Sequence, residues 1–207
     1  AFRFYAVTGF NMTEELETAL KKYMPLALNP AKERINYEIM KLFGGDFTSN
    51  ALLKMDEFGL LERIFPCVKE MKKVPPNSHH HLDLLHHVIE TVHQIEIIYD
   101  KLEGFEKEHI DTIDFGGFAR INHLKLAGFL HDIGKFSTWT IEEGGRHRFI
   151  KHDDVGSKMA KEILKQNKFS KKQIEYITSM IKNHIYPSQV VSAENINDKI
   201  YMRYIRK

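Results

Sequence analysis

Four separate stretches of this chain carry side chains able to hold a metal ion. His131 and Asp132 are adjacent. Neighbouring residues on a helix point about 100° apart, but at a helix end both can converge on one ion just beyond it. Imidazole with carboxylate suits Mn, Fe, Co, Ni or Zn, and carboxylate alone admits Mg. Such an ion would acidify water and orient a phosphate oxygen. Taken alone, the doublet reads as an exposed polar helix end. Its setting argues for more: it directly follows Leu124-Lys125-Leu126-Ala127-Gly128-Phe129-Leu130, and polar side chains at the mouth of a buried helix need partners. His87 lies on an amphipathic segment beside His86, one turn after Asp83. Downstream, His152 precedes Asp153-Asp154, and His184 closes a segment before Tyr186-Pro187.

The elements that position these residues read as helices. Thr13 followed by Glu14 and Glu15 marks a helix start, and Asn29-Pro30 marks another. A third helix follows Ser49. Pro66 interrupts a short segment, and Val74-Pro75-Pro76-Asn77-Ser78 reads as a linker. Leu85, Val88, Val92, Ile95 and Tyr99 repeat at three and four, predicting a helix over 82–103. Residues 104–117 read as loop. A nearly all-apolar helix over 119–131 delivers the His-Asp doublet. Thr138 to Ile150 resembles a small β-hairpin, and helices follow near 154–167, 171–185 and after Asn195. The fold class is therefore all-α: a helical subdomain, residues 1–75, then a helical bundle with a small β-hairpin, residues 76–207.

Composition narrows the setting. The chain has 207 residues, 43% hydrophobic and 28% charged, with a net charge of +2. That balance exerts no overall pull on nucleic acid, so any attraction must be local. Lys158, Lys161, Lys165, Lys168 and Lys172 face a single acid, Glu162, in their stretch. They read as a solvated helix face or as contacts to RNA phosphates. The single cysteine, Cys67, excludes an intramolecular disulfide and points to a reducing cytoplasm. No stretch predicts a membrane span.

The motifs resemble a known family. Asp83-Leu84-Leu85-His86-His87-Val88, Leu126 to Lys135, Arg148 to Gly156, and Lys182-Asn183-His184 resemble the HD superfamily of metal-dependent phosphohydrolases. Phe2-Arg3-Phe4, Gly9-Phe10, Glu33-Arg34-Ile35, Glu38 to Leu42, Gly59-Leu60-Leu61 and Ile64-Phe65-Pro66 resemble the neck of bacterial tRNA nucleotidyltransferases and poly(A) polymerases. The resemblance implies a divalent metal (Mg, Mn, Ni, Co, Fe or Zn) on His87, His131 and Asp132, with His152 and His184 beside it. It implies His131, Asp132 and Lys135 as catalytic residues, although Lys135 also reads as a solvated helix-end lysine. It further implies tRNA or other RNA as partner, and a nucleotide or phosphoester substrate of the phosphatase or 2′,3′-cyclic phosphodiesterase type.

Two departures qualify that picture. The family's Gly-Ser doublet and paired aspartates have no counterpart here, so the nucleotidyl-transfer head is expected upstream. The final HD aspartate is expected beyond residue 207, with Asp198 a poor substitute and His152 and His184 the alternative completion. The competing function is an RNA-binding body with a vestigial site. The remaining histidines divide: His79-His80-His81 flank the site or lie in a solvated loop, His93 and His123 read as satisfied, His109 as exposed, and His147 as a hairpin residue. Trp139 reads as packing or as a base-stacking platform.

Overall fold

The computed structural model describes residues 1–76 and 82–191, and only the backbone of 189–191. The described residues are mainly helical, with one two-stranded antiparallel sheet among them. The first layer comprises α1 (Phe2–Thr8), α2 (Glu14–Tyr23), α3 (Lys32–Phe43), α4 (Thr48–Glu57), α5 (Leu61–Ile64) and α6 (Val68–Met71). Thr13 caps α2 by accepting the Leu16 N–H, with Glu14, Glu15 and Glu17 in its first turn. Carboxylates there offset the positive end of the helix dipole. In α3 the inward face carries Ile35, Ile39, Met40 and Phe43, the period of one buried helical stripe. Helix α1 was not anticipated: it has no side-chain cap and no acidic first turn.

The second layer starts with α7 (Leu84–Tyr99), then α8 (Gly104–Asp111), α9 (Arg120–Leu130) and α10 (Lys135–Thr138). Strands β1 (Trp139–Ile141) and β2 (His147–Phe149) pair Trp139 with Phe149 and Ile141 with His147. Helices α11 (His152–Gln166), α12 (Lys171–Asn183) and α13 (Tyr186–Val191) complete it. Ser170 and Gln173 form a reciprocal capping box at α12, satisfying two orphan backbone donors. The hairpin is present as expected. The helix predicted over 82–103 is shorter, and the predicted loop 104–117 contains α8 and a 3-10 turn at Phe115–Gly117. Helix α11 begins at His152 rather than near 154, because Lys151 adopts a left-handed conformation just before it. The helix expected after Asn195 and the run His79-His80-His81 lie outside the described residues.

Helix α9 is central. It packs against α3, α7, α8 and α12, and nine of its eleven residues, Ile121 to Lys125 excepting Leu124 among them, are buried. One continuous apolar cluster runs from Phe2 and Ala6 through α3, α4, α7 and α9 to Ile181. A charged pair sits inside it. Lys125, 1% exposed, donates to the Gly45 carbonyl at 2.7 Å and lies 3.6 Å from Glu96. Glu96 in turn accepts from the Ser49 N–H at 3.1 Å and the Ser49 hydroxyl at 2.6 Å. No helix among the described residues is long and apolar enough to cross a membrane.

Candidate metal centre

Four helix ends meet at one point. His87 sits in the first turns of α7, His131 caps the C-terminus of α9, His152 opens α11, and His184 caps the C-terminus of α12. Asp132, 1% exposed, lies among them. Its Oδ2 is 3.1 Å from His87 Nε2, 3.1 Å from His131 Nε2 and 2.5 Å from Lys135 Nζ. Its Oδ1 is 3.1 Å from His152 Nε2 and 3.5 Å from His184 Nε2. The expected ligands are thus together, and Lys135 is a buried member of the cluster rather than a solvated lysine.

The histidines are held in one tautomer by a shared device. The Nδ1–H of His131 donates to the Gly128 carbonyl, that of His152 to Phe149 and that of His184 to Ile181, each at 2.7 Å and three residues upstream. A carbonyl can only accept, so each Nδ1 carries a proton, and a ring in its neutral form turns an Nε2 lone pair inward. Such backing is the usual support of a metal-ligating imidazole. His86 is excluded by geometry: its ring is bound to Asp83 Oδ2 at 2.6 Å. Asp83 also caps α7 through the His86 N–H, which leaves the next residue, His87, to face Asp132.

The electrostatics fit a cation. Burial alone would raise the Asp132 carboxyl, but the surrounding imidazoles, His131 foremost, hold it well below the usual carboxylate range. Burial also works against the His184 imidazolium, yet Asp132 outweighs it and raises the His184 pKa above 6.5. Asp132 Oδ1 is buried without an aligned hydrogen bond; His152 and His184 approach it closely but out of line. Lone pairs directed at a carboxylate oxygen repel it unless a positive charge lies between them. Two groups of three have ligand atoms within 4.8 Å of one another: His87, His131 and Asp132, and Asp132, His152 and His184. The donors present therefore suit one divalent ion on each side of Asp132.

A glycine sets the spacing. Gly134 has ordinary helical angles, φ −69° and ψ −18°, so its lack of a side chain is not needed for the turn. It is needed for room: a Cβ there would collide with the His152 carbonyl and come 2.6 Å from the Gly156 N. The His-Asp turn and the first turn of α11 are packed backbone to backbone.

The other singled-out residues lie elsewhere. Lys158, Lys161 and Lys165 are exposed on α11, Lys168 occupies a left-handed turn, and Lys172 is exposed in the first turn of α12. His123 is fully buried, its Nδ1–H on the Ala119 carbonyl, and His93 lies 3.6 Å from Glu96. His109 is exposed on α8, against the Arg120 guanidinium. His147 stacks near Trp139 at 5.4 Å, and Trp139 packs on the core. Cys67 is buried, and desolvation pushes its thiol up to about 12. Sequence reasoning missed two features. One is a cleft of about 750 Å³ beside His131 and His184. The other is the Glu96–Lys125–Ser49 network, whose members are too far apart in sequence to signal each other. A further cavity of about 290 Å³ between α1 and α3 shares no residue with the centre.

The chain is similar to known proteins over both of its parts. The family model described as the probable RNA and SrmB-binding site of polymerase A matches residues 9–72. The HD domain model matches residues 84–203. The chain is 25% identical over 194 residues to the A-adding tRNA nucleotidyltransferase of Deinococcus radiodurans, covering 89% of this chain and 40% of that protein. It is 25% identical over 192 residues to the CC-adding tRNA nucleotidyltransferase of Thermus thermophilus, covering 88% of this chain and 39% of that protein. The chain spans about two fifths of the length of these relatives. HD domains bind divalent metals, and the two triads around Asp132 offer the donors for one. This chain belongs to the HD-domain family, and its two parts are similar to the neck and HD portions of tRNA nucleotidyltransferases and poly(A) polymerases.

Proposed function

We propose that the Asp132 centre hydrolyses phosphoesters, as a phosphatase or 2′,3′-cyclic phosphodiesterase, within an RNA-processing protein. The observation that carries this reading is the buried carboxylate with an oxygen lacking any aligned donor, ringed by imidazole nitrogens whose protons are committed elsewhere. His87, His131 and Asp132 would hold one divalent ion, and His152 and His184 a second through the other carboxylate oxygen. When bound, such an ion supplies Lewis acidity to a phosphoryl oxygen and to water. Asp132 fixes the spacing between the two triads. The backbone carbonyls behind His131, His152 and His184 keep the rings from turning. Lys135, 2.5 Å from Asp132 Oδ2, is placed to share its ammonium between that carboxylate and a phosphate oxygen.

The neck and HD parts are proposed to divide at residues 75/76, a division supported by family matches that fall on either side of it. RNA, tRNA above all, is the proposed partner of the neck, with Lys158, Lys161, Lys165, Lys168 and Lys172 adding non-sequence-specific phosphate contacts. The test is metal analysis of the purified chain with hydrolysis assays on phosphomonoesters and 2′,3′-cyclic nucleotides. Metal-dependent turnover that disappears in His131→Ala is the expected result. Turnover unaffected by that substitution, or a chain that binds no divalent ion, leaves the vestigial reading standing.

A further inference from the structure

The cleft that opens beside the centre has a chemistry of its own. At about 750 Å³ it falls in the range of small-molecule sites, and His131 and His184 form one edge of it. Away from those two histidines, the lining described contains no Lys, Arg, Asp or Glu. Among the described residues, charge in this region is thus confined to the Asp132 cluster, and the cleft lining itself suits an uncharged group. Its wall is apolar and aromatic: Leu124, Met180 and the Tyr176 ring.

Tyr176 is fixed from behind. Phe115 stands 5.2 Å from it at 60°, and His123 stands 5.8 Å away at 74°, both in edge arrangements. A ring so held loses little freedom when a ligand covers it. Asn183 adds a polar edge: its amide nitrogen donates to the Ser179 carbonyl at 2.9 Å, so its Oδ1 faces the other way and is the atom left for a ligand N–H.

From this we infer that the cleft seats the organic part of the phosphoester as an aromatic ring against Tyr176, which makes Tyr176 a specificity-determining residue. The inference rests on the hydrolytic reading of the centre. It implies preference for nucleoside-type esters over esters of small aliphatic alcohols, with a ring N–H meeting Asn183. A phosphate at the histidine edge and a planar ring in an uncharged cleft use both halves of the site at once. The charged exterior of a polynucleotide finds no counterpart in this wall.

The test uses the full chain with Mn²⁺, comparing kcat/KM for adenosine 2′,3′-cyclic monophosphate and for glycerol 2-phosphate. Tyr176→Leu preserves apolar bulk, and Tyr176→Phe preserves the ring. Tyr176→Leu is expected to lower kcat/KM for the adenosine ester about tenfold or more, the order of one lost base–aromatic stack, and to leave the glycerol ester within about twofold. Tyr176→Phe should leave both unchanged. An equal fall on both esters, or no fall on either, overturns the assignment. Calorimetric binding of adenosine 3′-monophosphate separates this inference from the hydrolytic one. If no ester turns over, wild-type binding that weakens in Tyr176→Leu still supports the cleft. Absence of binding by the wild type overturns it.

Discussion

Among the described residues the protein buries carboxylates in two places and treats them in opposite ways. Glu96 lies at the junction of α4, α7 and α9, and each of its oxygens meets a donor, with Lys125 supplying the balancing charge. Asp132 is more deeply buried still, yet one of its oxygens has no aligned donor, and its neighbours are imidazoles with inward lone pairs. A buried polar group normally finds its partners. Where a network is complete, its role is to hold helices together. Where it is incomplete and surrounded by further donors to a cation, the fold has spent stability on a ligand.

That contrast predicts opposite consequences for the two carboxylates. Asp132→Asn should abolish most hydrolysis, by about a thousandfold or roughly 4 kcal/mol of barrier, while the fold persists at a modestly lower melting temperature, because Lys135 loses its counter-charge. A collapse of the fold without Asp132 would erase the distinction. Glu96→Ala should do the reverse: it leaves Lys125 uncompensated and costs about 3–5 kcal/mol of stability, read by urea denaturation. Combining Glu96→Leu with Lys125→Met should recover most of that loss, since apolar replacement of a buried pair is often neutral or better.

Metal ions offer a gentler probe. Mn²⁺ at about a hundred times its dissociation constant should stabilise the wild type by about 2.7 kcal/mol, seen as a rise in Tm. His131→Ala should lose this rise, and Glu96→Gln should keep it. The smallest effect is in the pH profile. Desolvation lowers the His123 pKa below 6.5, ahead of the opposing hydrogen bond to Ala119. The unfolded chain therefore takes up this proton first as pH falls, and stability drops in the window just below 6.5. His184, raised above 6.5, has the opposite sign: its contribution is full below 6.5 and is lost as pH rises through its folded value. Tm measured from pH 5 to 8 should show a shallower acid limb in His123→Gln.

Much of the centre is legible in the sequence because its residues sit in short motifs at helix ends. His131-Asp132-Ile133-Gly134-Lys135 supplies a carboxylate, an imidazole and an ammonium within five positions, and each other histidine lies at an end of an amphipathic stretch. The family resemblance selects His87 over His86, and the cap formed by Asp83, which absorbs the His86 ring, supplies the physical reason. The helices that escaped notice have weak local signals. α1 lacks a side-chain cap at its start, and α8 opens on Gly104 at φ +52° with mostly exposed residues. The cleft was invisible because Leu124, Tyr176 and Asn183 come together only through the packing of α9 on α12.

The contact at Gly134 shows what sets the dimensions of the centre. The gap between the His-Asp turn and α11 is the thickness of two bare peptide planes, with nothing adjustable between them. A single methyl at Gly134 would act as a wedge, lifting the first turn of α11 and carrying His152 away from Asp132 while every ligand stayed in the sequence. Two chains could share all five candidate ligand positions and differ at this one glycine. They would then hold cavities of different size, and so select different ions.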